Sequence, residues 1–302
     1  MSEPETGGGV PRSGHVPVLV QPVLEYLDPQ PGQLIVDGTV GGGGHAERIL
    51  ERIGPRGVLV ALDRDSSMLE LATTRLAADN CHPEHASYAD LPDVLAERFG
   101  EESSPVDGVL LDLGIGSDQL DDPERGFGFD SGQPLDMRFD RSTGRPAWQL
   151  LRDASREDLE RWFREYGEER RSRAIARAIV DGRRREPVKS GRDLARVVAD
   201  VAGPGRRRNP ATRVFQALRI EVNGELDELS RSLADGLPRC LAGGGRLVVI
   251  AFHSLEDRIV KQAFQDKDTW QVLTRRPIRP SAAECRINPR SRSARLRAAV
   301  RR

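Results

Sequence analysis

The stretch from Leu34 to Gly44 constrains this chain more than any other. A short apolar run, Leu34-Ile35-Val36, ends at Asp37 and passes through Gly-Thr-Val into four glycines, Gly41–Gly44. A helical pattern begins near His45, with Ile49, Leu50 and Ile53 on one face. Buried strand, glycine turn and helix start, in that order, form the first half of a βαβ unit. Glycine lets the backbone turn tightly and lets a ligand approach it, and the helix N-terminus then faces that ligand. Asp63 follows Gly41 by 22 residues, at the end of the next apolar run, Gly57–Leu62. An acid at that place accepts hydrogen bonds from ribose hydroxyls. Gly41, Gly43 and Ala46 also fit a G-x-G-x-x-A pattern, so the loop points to an adenosine-containing cofactor. It does not separate NAD from S-adenosylmethionine, and a glycine turn with no ligand is the alternative. No G-K-[ST] follows, which argues against a Walker-type phosphate loop.

The same strand grammar recurs at Val106–Leu113 and Gly245–Phe252, with a last strand expected near Ala294–Val300. Short apolar runs alternating with amphipathic helices predict a parallel sheet covered on both faces. Asp37, Asp63 and Asp112 each stand at a strand's carboxyl end, where open α/β sheets bind ligands. Residues 114–145 are rich in Gly, Asp and Pro and read as a long functional loop. Residues 146–200 are charged and helix-periodic, and Gly203–Pro210 is a breaker. A long helix is expected over Ala211–Leu233, bent at Asn223-Gly224. The expected organisation is a tail over 1–14, a discontinuous sheet domain over 15–140 and 211–302, and an inserted helical substrate-recognition domain over 141–210.

The net charge of -1 hides a division. Residues 1–150 carry 11 Lys+Arg against 26 Asp+Glu, and residues 151–302 carry 35 against 21. Such asymmetry points toward nucleic acid or a membrane surface. Nearly all the basic residues are arginines, whose planar fork suits phosphate. No apolar run reaches the roughly 20 residues of a membrane span, so no membrane partner is expected. The three cysteines, Cys81, Cys240 and Cys285, lie far apart without a C-x-x-C, which fits a reducing cytoplasm. The pair His82 and His85 flanks Pro83 and lacks a third ligand, so no metal site is expected.

Several stretches, in order, carry a resemblance. They are His15-Val-Pro-Val-Leu with Asp37-Gly-Thr-Val-Gly-Gly-Gly-Gly-His45, and Asp112-Leu-Gly-Ile-Gly-Ser-Asp-Gln-Leu-Asp-Asp-Pro-Glu-Arg-Gly-Phe127. Next come Pro134-Leu-Asp-Met-Arg138, Asn209-Pro-Ala-Thr-Arg-Val-Phe-Gln-Ala-Leu-Arg219 and Phe252-His-Ser-Leu-Glu-Asp-Arg258. Over about residues 14–302 the chain resembles the bacterial 16S ribosomal RNA cytosine-N4 methyltransferases. The resemblance implies a class I (Rossmann-like) methyltransferase sheet, S-adenosylmethionine as donor and a decoding-region cytosine amine as acceptor. It implies cofactor contacts at Gly43, Gly44, His45, Asp63, Asp112 and Gln119, with Tyr88 as the adenine-packing aromatic. Gly116 stands where the family usually has a serine, so no role is carried to it.

The candidates for chemistry follow. Asp112, Asp136 and His253 are the candidate proton acceptors for the amine. Asp136 could equally staple its loop to Arg138, His253 could fix the loop after its strand, and His45 could be a plain helix-entry residue. The target base must leave its stack and be received by aromatic side chains. Phe127 and Phe129 suit this, and Trp148 is a further candidate if it is not core. The expected RNA contacts are Arg138, the clusters Arg170-Arg171-Arg173 and Arg183–Arg185, the triplet of Arg206, Arg207 and Arg208, and the C-terminal arginines. The expected partner is 16S rRNA, in the small subunit or its precursor, and a homodimer is compatible with the sequence. The rival readings are a methyltransferase of DNA or a small molecule, and a non-catalytic RNA-binding protein with a nucleotide pocket; an NAD-dependent enzyme is a distant third.

Overall fold

The computed structural model describes residues 17–100, 105–203 and 209–302. Its first part lays helices and strands in alternation. They are α1 (Val20–Leu27), β1 (Leu34–Asp37), α2 (Gly44–Ile53), β2 (Val58–Asp63), α3 (Ser66–Arg75), β3 (Cys81–His85), α4 (Leu91–Phe99) and β4 (Val106–Asp112). After β4 come α5 (Ser117–Asp121), α6 (Ala147–Asp153), α7 (Arg156–Glu165), α8 (Ser172–Gly182), α9 (Gly191–Ala202), α10 (Thr212–Asn223), α11 (Glu225–Arg231) and α12 (Leu237–Cys240). The chain then returns to the sheet with β5 (Leu241–Ala251), α13 (Ser254–Ala263), β6 (Trp270–Val272), α14 (Ala282–Ile287) and β7 (Arg295–Arg301).

The seven strands form one sheet in the order β3-β2-β1-β4-β5-β7-β6. The strands β1 to β5 run parallel, and β7 enters antiparallel between β5 and β6. The parallel sheet expected from sequence is therefore mixed at one side. Side chains alternate between the two faces, as strand geometry requires. Val36, Val60, Leu62, Leu111 and Val249 enter one core, beneath α4, α11 and α13. Ile35, Leu59, Ala61, Leu110 and Val248 enter the other, beneath α1 and α2. Burial on both faces is why these strands read as unbroken apolar runs. The strand β3 (CHPEH) lacks that signal because it lies at the sheet edge, where Pro83 costs no ladder bond.

A third core belongs to the helices. Leu151, Leu159, Phe163, Ile175, Ile179, Leu194 and Val198 pack with Leu135, Met137, Phe215 and Leu218. This core thus takes in the 127–139 loop and α10 as well as helices α6 to α9. The expected long helix over 211–233 breaks where it was expected to bend. Gly224 takes φ 63° in the left-handed region, ending α10 and starting α11 in a new direction.

The order of chain travel reverses between β1 and β4, both of whose carboxyl ends are aspartates. That reversal opens a crevice at the strand ends, the usual ligand position in such sheets.

Candidate active site

A cleft opens at this switch point. It is lined by the loop Gly38–Gly42, Gly44 and His45, by Asp63 and Arg64, by Tyr88, and by Asp112–Gln119. Phe139, Phe252, Glu225, Glu228, Glu256 and Arg290 close it from the helical and C-terminal sides.

Each strand-end acid has a distinct environment. Asp63 accepts the Gly41 N–H at 2.8 Å on one oxygen and the Asp65 N–H at 2.8 Å on the other. Burial pushes its carboxyl up to about 6, against these two bonds. Asp37 lies beneath the loop, 1% exposed, and accepts the Thr39 N–H at 3.2 Å. Burial raises it to about 7, and the charge of Asp63 adds to the shift. Asp112 is raised well above the ordinary carboxylate range by burial, then by Asp37 and Glu256. Its backbone N–H donates to Thr39 Oγ1 at 2.6 Å, and its Oδ2 lies 3.5 Å from His45 Nδ1. Its Oδ1 is buried with no hydrogen-bond partner among the described residues. A buried polar atom without a partner costs free energy and needs a reason.

Of the expected cofactor contacts, Gly44, His45, Asp63, Tyr88, Asp112 and Gln119 all line the cleft. His45 bonds the Val18 carbonyl through Nε2 at 2.8 Å, tying the start of α2 to the segment before α1. A side chain at Gly44 would place its Cβ 3.0 Å from Pro17, so the glycine keeps the loop close to that segment. Gly43 stands between the lining residues Gly42 and Gly44. Its Cβ position faces Leu76 at 3.2 Å, and its φ of 79° serves the turn into α2.

The remaining candidates divide. Asp136 is held by Arg138 through Nε at 2.8 Å and Nη2 at 2.9 Å, and the pair stands outside the cleft lining. Burial would raise its carboxyl, but the bonds and charge of Arg138 hold it below the usual range. The Arg138 guanidinium is further tied to the Thr143 carbonyl at 3.1 Å. Both residues are therefore placed in a loop staple outside the cleft lining. His253 caps α13, its Nδ1 accepting the Glu256 N–H at 3.4 Å, and it too is absent from the lining. Phe127 and Phe129 are corrected as base receivers. Phe127 is buried in the third core, and Phe129 packs edge-on to Phe215 with ring centroids 4.7 Å apart. Among the described residues, Phe139 and Phe252 face the cleft beside Tyr88, and the sequence alone assigns neither of them a role. Phe139 directly follows the Pro134–Arg138 motif, and Phe252 begins the Phe252–Arg258 motif. Trp148 lies against the third core with Arg152 over its ring.

The expected RNA contacts Arg206, Arg207 and Arg208 lie outside the described residues. Arg183 donates to the backbone carbonyls of Arg152 and Ala154, and Arg297 pairs with Asp257 at 2.6 Å, so both act within the fold. At α8 and the turn before it, Arg170, Arg171, Arg173 and Arg177 line an open surface groove.

A charged layer on the helical side of the cleft, which includes its lining residues Glu225 and Glu256, has no signature in the sequence. Arg219 bonds both oxygens of Glu225 at 2.8 Å. Glu256 accepts the Phe252 N–H at 2.8 Å and lies 3.0 Å from His253 Nε2. Burial would raise Glu256, but His253 and Arg219 hold it ionised. Glu225, His253 and Glu256 come within 4.8 Å of one another in the manner of metal ligands. The Arg219 guanidinium already supplies the positive charge that Glu225 needs. Only their separate positions, on α10, α11 and α13, made this layer illegible in sequence.

Among the described residues, no helix is long and apolar enough to cross a membrane. A ribosomal RNA small subunit methyltransferase H of Syntrophotalea carbinolica is 49% identical, over 94% of this chain and 96% of the relative. The protein of that name from Thermomicrobium roseum is 47% identical, over 95% and 93%. The one from Salinispora tropica is 46% identical, over 96% and 85%. Residues 12–302, nearly the whole chain, match the model of one family, and with the glycine loop and three strand-end acids in place, the chain belongs to the MraW methylase family.

Proposed function

We propose that this protein transfers a methyl group from S-adenosylmethionine to the N4 amine of one cytosine in the decoding region of 16S ribosomal RNA. The relatives' name, a ribosomal RNA small subunit methyltransferase, supports the substrate. The carrying observation is Asp112 Oδ1, an unpartnered acceptor buried in a cleft that a nucleotide-type glycine loop also lines.

The cleft's residues fit the cofactor. Among the described residues, its lining includes the acids Asp63, Asp112, Glu225, Glu228 and Glu256 against the arginines Arg64 and Arg290, a balance that suits a sulfonium cation. Asp63 would hold the ribose hydroxyls, Tyr88 the adenine, and the Gly41–Gly44 loop the methionine portion. When bound, S-adenosylmethionine supplies an electrophilic methyl group. The chain's part is to orient the acceptor and manage one proton. Phe139 and Phe252 receive the flipped base, and Asp112 Oδ1 accepts a hydrogen bond from its amine. That bond draws the nitrogen lone pair out of conjugation, and Asp112 then takes the amine proton and releases it to water. Holding reactants in line contributes on the order of 7–11 kcal/mol to such reactions. The helices around the third core form the substrate-recognition part, and the cytoplasm is where this substrate would be met. Transfer of labelled methyl groups to small subunits lacking the modification tests the reading, and labelling of DNA alone would overturn it.

Two expectations follow. Ribose hydroxyls bond best to an ionised Asp63, whose carboxyl is raised to about 6. Cofactor affinity, measured by calorimetry, should therefore be full above that pH and weaken as pH falls through it. Asp63→Asn should lose roughly 10- to 100-fold at pH 8, the worth of charge-assisted hydrogen bonds, and lose the pH dependence too. An unchanged affinity would remove Asp63 from the ribose site. Second, replacing Arg170, Arg173 and Arg177 with Gln should weaken RNA binding at all sequences alike. The slope of log affinity against log salt should drop by about 0.7–0.9 for each phosphate that is no longer neutralised, with cofactor affinity unmoved. An unchanged slope would make that groove an ordinary solvated helix face.

A further inference from the structure

Arg125 is buried to 4% exposure beside Asp65, also 4% exposed, and no sequence argument gave either one a role. Asp65 caps α3 through Ser67, and its N–H donates to Asp63 at 2.8 Å. Its second oxygen accepts Gln119 Nε2 at 2.7 Å and pairs with Arg125. Burial would raise the Asp65 carboxyl, but Ser67, Gln119 and Arg125 hold it ionised. On its far side, Arg125 Nη2 donates to the carbonyls of Arg138 at 3.0 Å and Phe139 at 3.1 Å. The same loop is gripped from α10 by Asn223, which accepts the Phe139 N–H and donates to the Met137 carbonyl, each at 2.8 Å. One guanidinium thus joins Asp65, whose N–H holds Asp63, to the backbone of the aromatic at the cleft's base-receiving side.

We infer that Arg125 is a positioning residue that fixes Phe139 against the target base by holding its carbonyl to the Asp65 carboxylate. The inference rests on the methyltransfer reading above. A guanidinium is needed because one planar group must reach an acid and two carbonyls at once. A lysine can keep the ion pair but has no fork to span the loop. Asp65 is shared with Gln119, so the cofactor-side wall and the base-receiving loop are held by one carboxylate.

The test compares Arg125→Lys, Phe139→Ala and the double variant with the wild type. Each is assayed on unmodified small subunits at a temperature where circular dichroism shows all four folded. Arg125→Lys should lower kcat/KM for the RNA substrate by about 10- to 100-fold, with the S-adenosylmethionine Kd changed less than about threefold. The double variant should be no worse than Phe139→Ala alone, because both act through one aromatic. Additive losses, or a cofactor Kd that weakens in step with kcat/KM, would mean Arg125 merely supports the fold and would overturn the inference. A wild type that methylates no RNA would instead overturn the function itself, so the two failures are distinguishable.

Discussion

Asp112→Asn is expected to lower kcat by about 10²- to 10⁴-fold, the usual worth of a positioned general base, while leaving cofactor affinity near the wild-type value. Asparagine keeps the shape and can still accept a hydrogen bond from the amine, but it cannot take a proton. The pH dependence sharpens the expectation. Burial, with Asp37 and Glu256 nearby, raises the Asp112 carboxyl well above its ordinary range. A raised carboxyl is protonated at low pH, so the wild-type rate should climb as pH rises and the group ionises. In Asp112→Asn that climb should vanish along with most of the rate. Single-turnover methyl transfer at a series of pH values from acidic to alkaline reads both. A variant with near-normal kcat and the same pH profile would show that the proton goes elsewhere.

Gly126→Ala is expected to destabilise the protein by about 3 kcal/mol or more, at the large end for single substitutions. Gly126 takes φ 72°, a conformation that favours glycine. Its Cβ position lies 2.5 Å from the Asp136 nitrogen and 2.7 Å from the Pro134 carbonyl. Both are backbone atoms, so no side-chain rotation relieves the overlap. The residue lets the Arg125–Phe127 turn lie directly against the Pro134–Arg138 loop. Forcing them apart would also disturb the carbonyls that Arg125 holds. Urea unfolding should show a clearly lower midpoint, and activity should fall at temperatures where the variant still folds. A midpoint equal to wild type would mean the two loops part without cost.

The sheet was legible because its central strands are buried on both faces, which leaves the runs around Leu34–Asp37, Val58–Asp63 and Val106–Asp112 almost free of polar residues. The edge strand Cys81–His85 was not, since an edge imposes no such pattern. The antiparallel entry of Arg295–Arg301 depends on packing against β5 and β6, which no local signal records. Within the cleft, Asp63, Asp112 and Gly44 could be placed because strand ends and glycine turns have sequence signatures. Phe127 and Phe129 read as base receivers in the sequence because they are aromatics in a polar loop. That loop in fact folds inward onto α10, where Phe215 and Leu218 give them partners. Phe139 could not be told from them by composition. Its position depends on Asn223 and Arg125, 84 and 14 residues away in sequence.

The proposed substrate of this protein is one cytosine amine in small-subunit ribosomal RNA. Mass spectrometry of nuclease fragments of that RNA, from cells with and without the protein, tests it most directly. A single decoding-region fragment should lack one methyl group on a cytosine N4 when the protein is absent. The group should return when wild-type protein is restored, and not with Asp112→Asn. Identical fragment masses in the two cell populations, or a methyl group missing at some other base, would contradict it.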